Sequence, residues 1–177
     1  MMAPDNFPER SPNKSPKAIR PIDIRLAEEA EQIWYLQHAA YRIEARWAGL
    51  KDPPPLMETI SELQQCGERF FGFVQGGDGE AAEDGELAGA ISYKLSPSGE
   101  LEICRLMVDP ARLRQGIGEC LLIHLLREVP HRTALVFVSE GNVPALALYR
   151  KLGFHERGHT EPLPGIRLVR LERPNIC

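Results

Sequence analysis

The stretch of sequence that decides the fold is LEICRLMVDPARLRQGIG, residues 101–118. Its first eight residues are largely apolar and predict a β-strand over 101–108. A turn with two arginines and two glycines follows, and a helix is predicted to begin at once near Gly116. Helix N-termini attract anions, and glycines allow a close approach of the backbone. The stretch therefore predicts a phosphate-binding turn, with a plain strand–helix connection packed through its glycines as the alternative.

Two other phosphate motifs are excluded by the sequence. The chain has no Gly-x-x-x-x-Gly-Lys-Ser/Thr segment, which argues against a P-loop that cleaves nucleoside triphosphates. The turn also lacks the third glycine of a dinucleotide-binding fingerprint, and it lies in the middle of the chain. The predicted anion is therefore held by a different kind of turn.

Hydrophobic periodicity divides the rest of the chain into short strands and helices. The predicted strands are 22–26, 69–75, 86–95, 101–108, 133–138 and two within 154–171, and the predicted helices are 28–48, 56–67, 116–128 and 143–152. A Gly-rich acidic connector, GGDGEAAEDG, joins the second and third strands. The order β-α-α-β-β-β-α-β-α-β-β predicts an α/β fold with a mixed, central six- to seven-stranded sheet and helices on both faces.

Length and composition predict one globular domain. The 177 residues are 43% hydrophobic, and we assign residues 1–20, which contain four prolines, to a flexible tail and 21–177 to the domain. The net charge of −4 argues against nucleic acid as a partner. No membrane-spanning run or signal peptide is visible, and four widely spaced cysteines fit neither a disulfide framework nor a zinc site. A cytoplasmic, metal-free protein is predicted.

Two segments resemble one superfamily. LEICRLMVDPARLRQGIGECLLIHLL, from Leu101, is similar to the acetyl-CoA-binding core of the GCN5-related N-acetyltransferases (GNAT). TALVFVSEGNVPALALYRKLGF, from Thr133, is similar to the strand–Asn–helix–Tyr segment that follows in these proteins. The family pattern at the turn is Gln/Arg-x-x-Gly-x-Gly/Ala. The chain matches it at Gly116 and Gly118 but has Leu113 where Gln or Arg is usual.

The resemblance implies a binding mode for acetyl-CoA. The two parallel strands 101–108 and 133–138 are expected to separate, and the pantetheine arm to pair with the backbone of the first. The pyrophosphate is expected on the turn 114–119. The implied cofactor-binding residues are Leu106, Met107, Val108, Arg114, Gln115, Gly116, Ile117, Gly118, Glu119 and Asn142. Asn142 also has a plain structural role open to it, as the N-cap of the helix 143–152.

The resemblance also implies the catalytic groups. Tyr149 matches the tyrosine acid of the family, and it lies seven residues after Asn142, on the same helix face. Glu102 matches a strand glutamate that serves as general base in some members, with an exposed strand glutamate as the alternative. Tyr41 and Glu44 lie where the family binds its acceptor. For Glu44 the alternative is a solvated glutamate on the helix surface. For the general base the alternative is deprotonation of the amine through water.

The predicted function is an acetyl-CoA-dependent N-acetyltransferase. It moves an acetyl group to a primary amine of a small molecule or peptide by direct attack in a ternary complex. Two alternatives are kept: a non-catalytic acyl-CoA-binding or sensor module on the same fold, and an acetyltransferase acting on protein N-termini or aminoacyl groups. No nucleic-acid or membrane partner is predicted, and a homodimer is left open.

Overall fold

The structure is a computed structural model that describes residues 17–48, 57–76 and 85–175, with the side chains of residues 47 and 48 left out. Three sequence predictions fall on segments outside these residues. They are the first sixteen residues of the predicted tail, the proline run that ends the first helix and all but the ends of the acidic connector.

In the described part of the chain, seven strands and four α-helices follow one another in the predicted order, so the predicted α/β class is confirmed. The strands are β1 (Lys17–Ile22), β2 (Arg69–Gln75), β3 (Glu86–Leu95), β4 (Glu100–Val108), β5 (Thr133–Ser139), β6 (His155–Leu163) and β7 (Ile166–Pro174). The helices are α1 (Ala27–Ala48), α2 (Ile60–Gln64), α3 (Ile117–Glu128) and α4 (Val143–Lys151). Within the described part of the chain, no helix is long and apolar enough to cross a membrane.

All seven strands form one mixed sheet in the order β1-β2-β3-β4-β5-β7-β6. The β4–β5 pair is parallel and the other neighbours are antiparallel. The parallel pair requires a crossover, which α3 provides. The parallel pair therefore lies near the centre of the sheet. The turn that the sequence analysis identified belongs to the connection between its two strands.

Each face of the sheet carries its own core. On one face α3 and α4 bury an apolar stripe against β3, β4 and β5, and this core includes Leu121, Leu125 and Tyr149. On the other face α1 and α2 cover β1 to β4 through Ile33, Leu36 and Leu63. Helices on both faces were predicted, and the separation of the two apolar clusters confirms it.

The first strand lies earlier than predicted. Lys17 to Ile22 pair with β2, so the last four residues of the predicted tail 1–20 belong to the sheet. β1 lies at the edge of the sheet, and Ile22 is its one buried residue. Polar residues are tolerated in this strand because its other side chains are exposed or only half-buried. The predicted strand 22–26 ends at Ile22 because Asp23 starts a turn, in which its side chain accepts from the backbone N–H of Arg25 at 3.0 Å.

The second helix is also shorter than the predicted 56–67. It spans Ile60–Gln64 and begins at a capping box, in which Thr59 and Glu62 exchange side-chain and backbone hydrogen bonds. The N-cap fixes the start of the helix, and Gly67 adopts φ +72° three residues beyond its end.

Candidate active site

A gap opens between the two parallel strands. Their Cα pairing runs from Glu100 with Thr133 to Ile103 with Val136 and stops there. β5 continues to pair with β7 up to Ser139, while the rest of β4 pairs only with β3. The β5-facing edge of β4 is therefore free beyond Ile103. A free strand edge presents N–H and C=O groups to an extended ligand. This separation is the one expected from the sequence.

A cavity of about 440 Å³ lies at this gap. Its walls come from α1, β4, β5, α4 and the β6–β7 hairpin. Five residues predicted for the site line it: Tyr41, Glu44, Leu106, Asn142 and Tyr149. Residues more than 100 positions apart in sequence thus share one chamber, with the two candidate acceptor contacts on α1 opposite the candidate acid on α4.

Tyr149 is held firmly against the core. Its side chain is 3% exposed, and its ring contacts Phe154 edge-to-face at 5.2 Å between centroids. Burial raises the pKa of the phenol well above its ordinary value, and the neighbouring Tyr41 phenol and Glu44 carboxylate raise it further. Among the described residues, no hydrogen-bond partner for the Tyr149 hydroxyl is found. The cavity therefore contains a protonated phenol with its donor unused.

Glu44 and Asn142 connect α1 to α4 across the cavity. The Asn142 amide donates to Glu44 Oε1 at 2.9 Å, and its own Oδ1 accepts from the N–H of Ala145 at 3.1 Å. Asn142 is thus the N-cap of α4, as the structural alternative predicted, and it also orients a carboxylate. The second oxygen of Glu44 has no partner in the described part of the chain, so this oxygen can accept a proton or a hydrogen bond.

Glu102 does not reach this cavity. It is exposed and lies in the paired part of β4, next to Lys94 of β3 and Leu135 of β5. The sequence reading placed it on the face of Leu106, assuming regular alternation. A β-bulge breaks the alternation: Ile103 and Arg105 pair with consecutive residues of β3, and Cys104 is the extra residue. The carboxylate that the structure brings to the cavity is Glu44.

The turn before α3 has the backbone geometry of an anion site. Arg114 and Gly116 adopt positive φ angles of 62° and 78°. Gly116 is the N-cap of α3 and makes no side-chain hydrogen bond. Among the described residues, no acceptor contacts the N–H groups of Ile117, Gly118 or Glu119. Three backbone donors at the positive end of a helix dipole are therefore open to an anion.

Gly118 has no reason in the fold to be glycine. Its φ is not in the left-handed region. A Cβ placed on it would lie 3.6 Å from atoms of Leu148 and Val108 and 3.9 Å from Leu106, which is ordinary van der Waals contact. The same neighbours place the turn beside the free edge of β4. A small side chain would therefore fit at Gly118, which lies in the first turn of α3 with the open N–H groups.

The other predicted cofactor residues have separate surroundings. Gln115 is exposed, Ile117 is buried in the core, and Glu119 forms an ion pair with Lys151 at 2.7 Å. Met107 is 1% exposed and belongs to the core under α1, so only its backbone can meet a ligand. Val108 is half-buried beside Gly118.

Sequence reasoning missed a buried ionic cluster next to the cavity. Arg105, at the cavity wall, donates from Nε to Glu68 at 2.9 Å and from Nη2 to both Glu58 and Glu68 at 3.0 and 3.1 Å. Nη1 donates to Glu58 at 2.5 Å and to Gln37. Burial alone would lower the pKa of Arg105, but these carboxylates outweigh it, raise the pKa, and keep the guanidinium charged.

The sequence model of the acetyltransferase (GNAT) family matches residues 28–154 of this chain. The UPF0157 protein YqkA of Bacillus subtilis is 32% identical over 140 residues, which cover 78% of this chain and 38% of that protein. This chain therefore spans less than half the length of that relative.

Two further proteins match this chain over most of their own length. The ribosomal protein bS18-alanine N-acetyltransferase of Escherichia coli is 34% identical over 121 residues, which are 67% of this chain and 74% of that protein. The structure of the PaiA N-acetyltransferase from Thermoplasma acidophilum in complex with coenzyme A superimposes with a TM-score of 0.68. It covers 90% of this chain and 99% of its own at 18% identity, a likeness that shows the fold.

Proposed function

The chain belongs to the GNAT acetyltransferase family, and we propose that it transfers an acetyl group from acetyl-CoA to a primary amine. One observation supports this most. The free edge of β4 runs from the open N–H groups of α3 to a cavity that holds Tyr149 and Glu44. A ligand with an anionic end and an extended arm fits that path, and its far end would reach both groups.

The chain's own residues fit coenzyme A. The N–H groups of Ile117, Gly118 and Glu119 would hold the pyrophosphate, and the free edge of β4 at Leu106 would pair with the pantetheine arm. Gly118 adds no large or charged side chain beside these N–H groups, and a Cβ alone would fit there. When bound, acetyl-CoA supplies an acetyl group activated as a thioester.

Tyr149 is the proposed acid. A phenol is protonated at neutral pH even without burial, and the raised pKa keeps it so, so Tyr149 can donate a hydrogen bond to the departing thiolate as the thiolate takes up a proton. Burial behind Phe154 fixes the ring, which limits the motion of the donor. The two catalytic candidates of the sequence, Tyr149 and Glu102, thus separate: the first lines the cavity and the second does not.

Glu44 is the proposed acceptor of the proton from the amine. It lines the cavity, and Asn142 holds one of its oxygens while the other is available. A carboxylate binds the amine in its ammonium form. The ammonium group must release one proton to water before its nitrogen has a lone pair for attack, and Glu44 can accept the proton that the nitrogen loses as the amide forms, directly or through one water. Tyr41, one turn earlier on α1, forms the adjacent wall and is the second proposed acceptor contact.

Direct attack in a ternary complex is favoured over an acyl-cysteine route. Cys104 is the one thiol among the described residues that line the cavity. Burial raises the pKa of this thiol to about 12, with the charges of Glu68 and Glu102 adding to the effect. Since the thiolate is the nucleophile, a thiol that stays protonated at neutral pH is a poor one.

The test is an assay of thiol release from acetyl-CoA with and without added amine, with the acetylated product identified by mass spectrometry. We expect release that depends on the amine. An alanine-initiated peptide belongs in the acceptor set because the Escherichia coli relative is named as an alanine N-acetyltransferase of ribosomal protein bS18. Tight binding of coenzyme A without release for any amine would contradict the proposal and favour the sensor alternative.

A further inference from the structure

We infer that the acceptor is a primary monoamine on an apolar, uncharged skeleton; this inference rests on the proposed function. It concerns the part of the cavity between α1 and the β6–β7 hairpin, which we call the acceptor chamber. Its walls are Tyr41, Glu44, Phe137, Leu163, Ile166 and Leu168. Both a small-molecule amine and the first residue of a peptide can carry a primary amino group on an apolar skeleton. The experiment below distinguishes these two sources.

The chamber lies on the α1 side of the sheet. Val136 and Val138 are buried in the core on the α3–α4 side, so Phe137 between them points to the opposite face. On β7, Val169 belongs to the same core and Leu168 to the opposite face. Phe137 is 42% exposed although it is aromatic, and a solvent-facing apolar surface inside a cavity favours an apolar ligand.

Among the described residues of the cavity, Glu44 is the one charged side chain that can still bind a ligand. Of the described residues that line the whole cavity, Glu44 and Arg105 are the two that carry a charge at neutral pH. A guanidinium has five N–H donors, and in Arg105 all five are engaged by Glu58, Glu68 and Gln37. Arg105 therefore has no donor left for a carboxylate of the acceptor, whereas Glu44 has a free oxygen for an ammonium group.

This asymmetry sets the acceptor class. One ammonium group matches Glu44, and the skeleton behind it meets Phe137, Leu163 and Leu168. A second ammonium group would leave water for this apolar wall without a counter-charge, and a carboxylate would find no donor. Diamines, polyamines and free amino acids are therefore predicted to bind poorly. A peptide fits when its first residues are apolar.

The test measures binding of four probes to the protein saturated with coenzyme A, by calorimetry. The probes are phenethylamine, 1,4-diaminobutane, phenylalanine and an Ala-Ala-Phe amide. We expect phenethylamine to bind about tenfold or more tightly than the diamine and the amino acid. Equal or tighter binding of either would overturn the inference. The ratio of the affinity for phenethylamine to the affinity for the peptide amide shows whether the amine comes from a small molecule or from a peptide. An amine that binds selectively but is not acetylated would contradict the proposed function, and would confirm only the class of ligand that the chamber binds.

Leu163 offers a variant with a matched control. It is 50% exposed at the end of β6, so the fold accepts a polar side chain there. Leu163→Glu adds a second carboxylate to the chamber, and Leu163→Gln has the same shape without the charge. We expect the Glu variant to raise diamine affinity relative to phenethylamine by about tenfold and the Gln variant to leave the ratio unchanged. An unchanged ratio in both would show that the acceptor lies elsewhere and overturn the inference.

Discussion

Two residues on opposite walls of one cavity share the proposed chemistry, and their surroundings suit them to different tasks. Tyr149 is packed against Phe154, and its phenol, whose pKa burial raises, stays protonated and offers a hydrogen-bond donor to the cavity. Glu44 is fixed through one oxygen by Asn142, so its other oxygen faces the cavity ready to accept. The division between acid and base therefore follows from burial and hydrogen bonding, as it does in other acid–base sites.

Tyr149→Phe keeps the ring and its contact with Phe154 but removes the donor. We expect kcat to fall by about 10²–10⁴-fold, the usual effect of one positioned acid, while coenzyme A affinity changes little. The loss should be smaller for an acyl donor whose leaving thiol is more acidic, because that thiolate needs less assistance. Steady-state kinetics with two donors measure both effects. Undiminished turnover, where chemistry limits the rate, would make Tyr149 a core residue only.

Asn142→Ser separates the two hydrogen bonds of Asn142. Serine is an equally good N-cap, so the free energy of unfolding should change by less than about 0.5 kcal/mol. The shorter side chain no longer reaches Glu44, so the carboxylate loses its orientation. We expect the kcat/KM for the amine to fall by about tenfold or more at unchanged affinity for coenzyme A. Asn142→Ala is the control, since it loses the cap as well and should cost about 1 kcal/mol. An unaffected kcat/KM in the serine variant would mean that Glu44 needs no support.

At the scale of elements, the junction of β4 and α3 joins the two halves of the site. Gly118→Asp places a carboxylate in front of the open N–H groups. Because an acidic residue in the first turn suits the helix dipole, the midpoint of thermal unfolding should stay the same or rise. Affinity for acetyl-CoA should fall by about 100-fold or more, since the added charge opposes the pyrophosphate.

The matched control at this position is Gly118→Ala. The structure has room for a Cβ there, and the family pattern allows alanine, so both stability and affinity should be retained. Calorimetric titration and thermal unfolding of the three proteins give the comparison. Equal affinity for the Asp and Ala variants, both folded, would show that the pyrophosphate does not lie on this turn.

The order of elements was predictable from the sequence, and the side-chain directions after Cys104 were not. Periodicity identifies strands and helices, and the turn 109–118 marks the crossover between β4 and β5. A bulge adds one residue without changing the apolar pattern of a strand, so the sequence alone places Glu102 on the face of Leu106, and the extra residue Cys104 puts the two on different faces. The apolar pattern also fails to identify β1, because the polar residues of this edge strand resemble those of the predicted tail 1–20.

The Arg105 cluster was not predictable for another reason. Glu58 and Glu68 are 47 and 37 residues away from Arg105 in sequence, and each carboxylate read alone resembles a solvated surface group. Only the pairing of β4 with β3 and the packing of α1 bring them together. By contrast, the resemblance to the family points to Asn142 and Tyr149, and their spacing of seven residues predicts that they lie on one face of a helix.

At the scale of the whole molecule, the Arg105 cluster ties α1 and the segment before α2 to β4. Its side chain is 12% exposed, and its partners Glu58 and Glu68 are 18% and 8% exposed. Arg105→Met leaves two buried carboxylates without their cation and should cost about 3–5 kcal/mol in the free energy of unfolding. Arg112→Met is the control: its ion-pair partners Glu86 and Asp109 are 74% and 30% exposed, so the loss should be below about 1 kcal/mol. Equal losses, measured by urea unfolding, would contradict a special role for the cluster.

The same variant has a predicted pH dependence. Burial alone would raise the pKa of Glu58, but hydrogen bonds from Arg105 and Gln37 outweigh it, so the pKa lies below its ordinary value. A carboxyl group with a lowered pKa stabilises the fold above the ordinary glutamate range, and this stabilisation is lost as pH falls. The difference in unfolding free energy between wild type and Arg105→Met should therefore narrow on acidification. A constant difference from pH 7 to about pH 3 would contradict the lowered pKa.

The most direct test of the central claim is a crystal structure of the protein with coenzyme A. We expect the pyrophosphate to accept hydrogen bonds from the N–H groups of Ile117, Gly118 and Glu119. The pantetheine arm should pair with the free edge of β4, which places the sulfur in the cavity between Tyr149 and Glu44. A pyrophosphate away from this turn, or a sulfur outside the cavity, would contradict the proposed site.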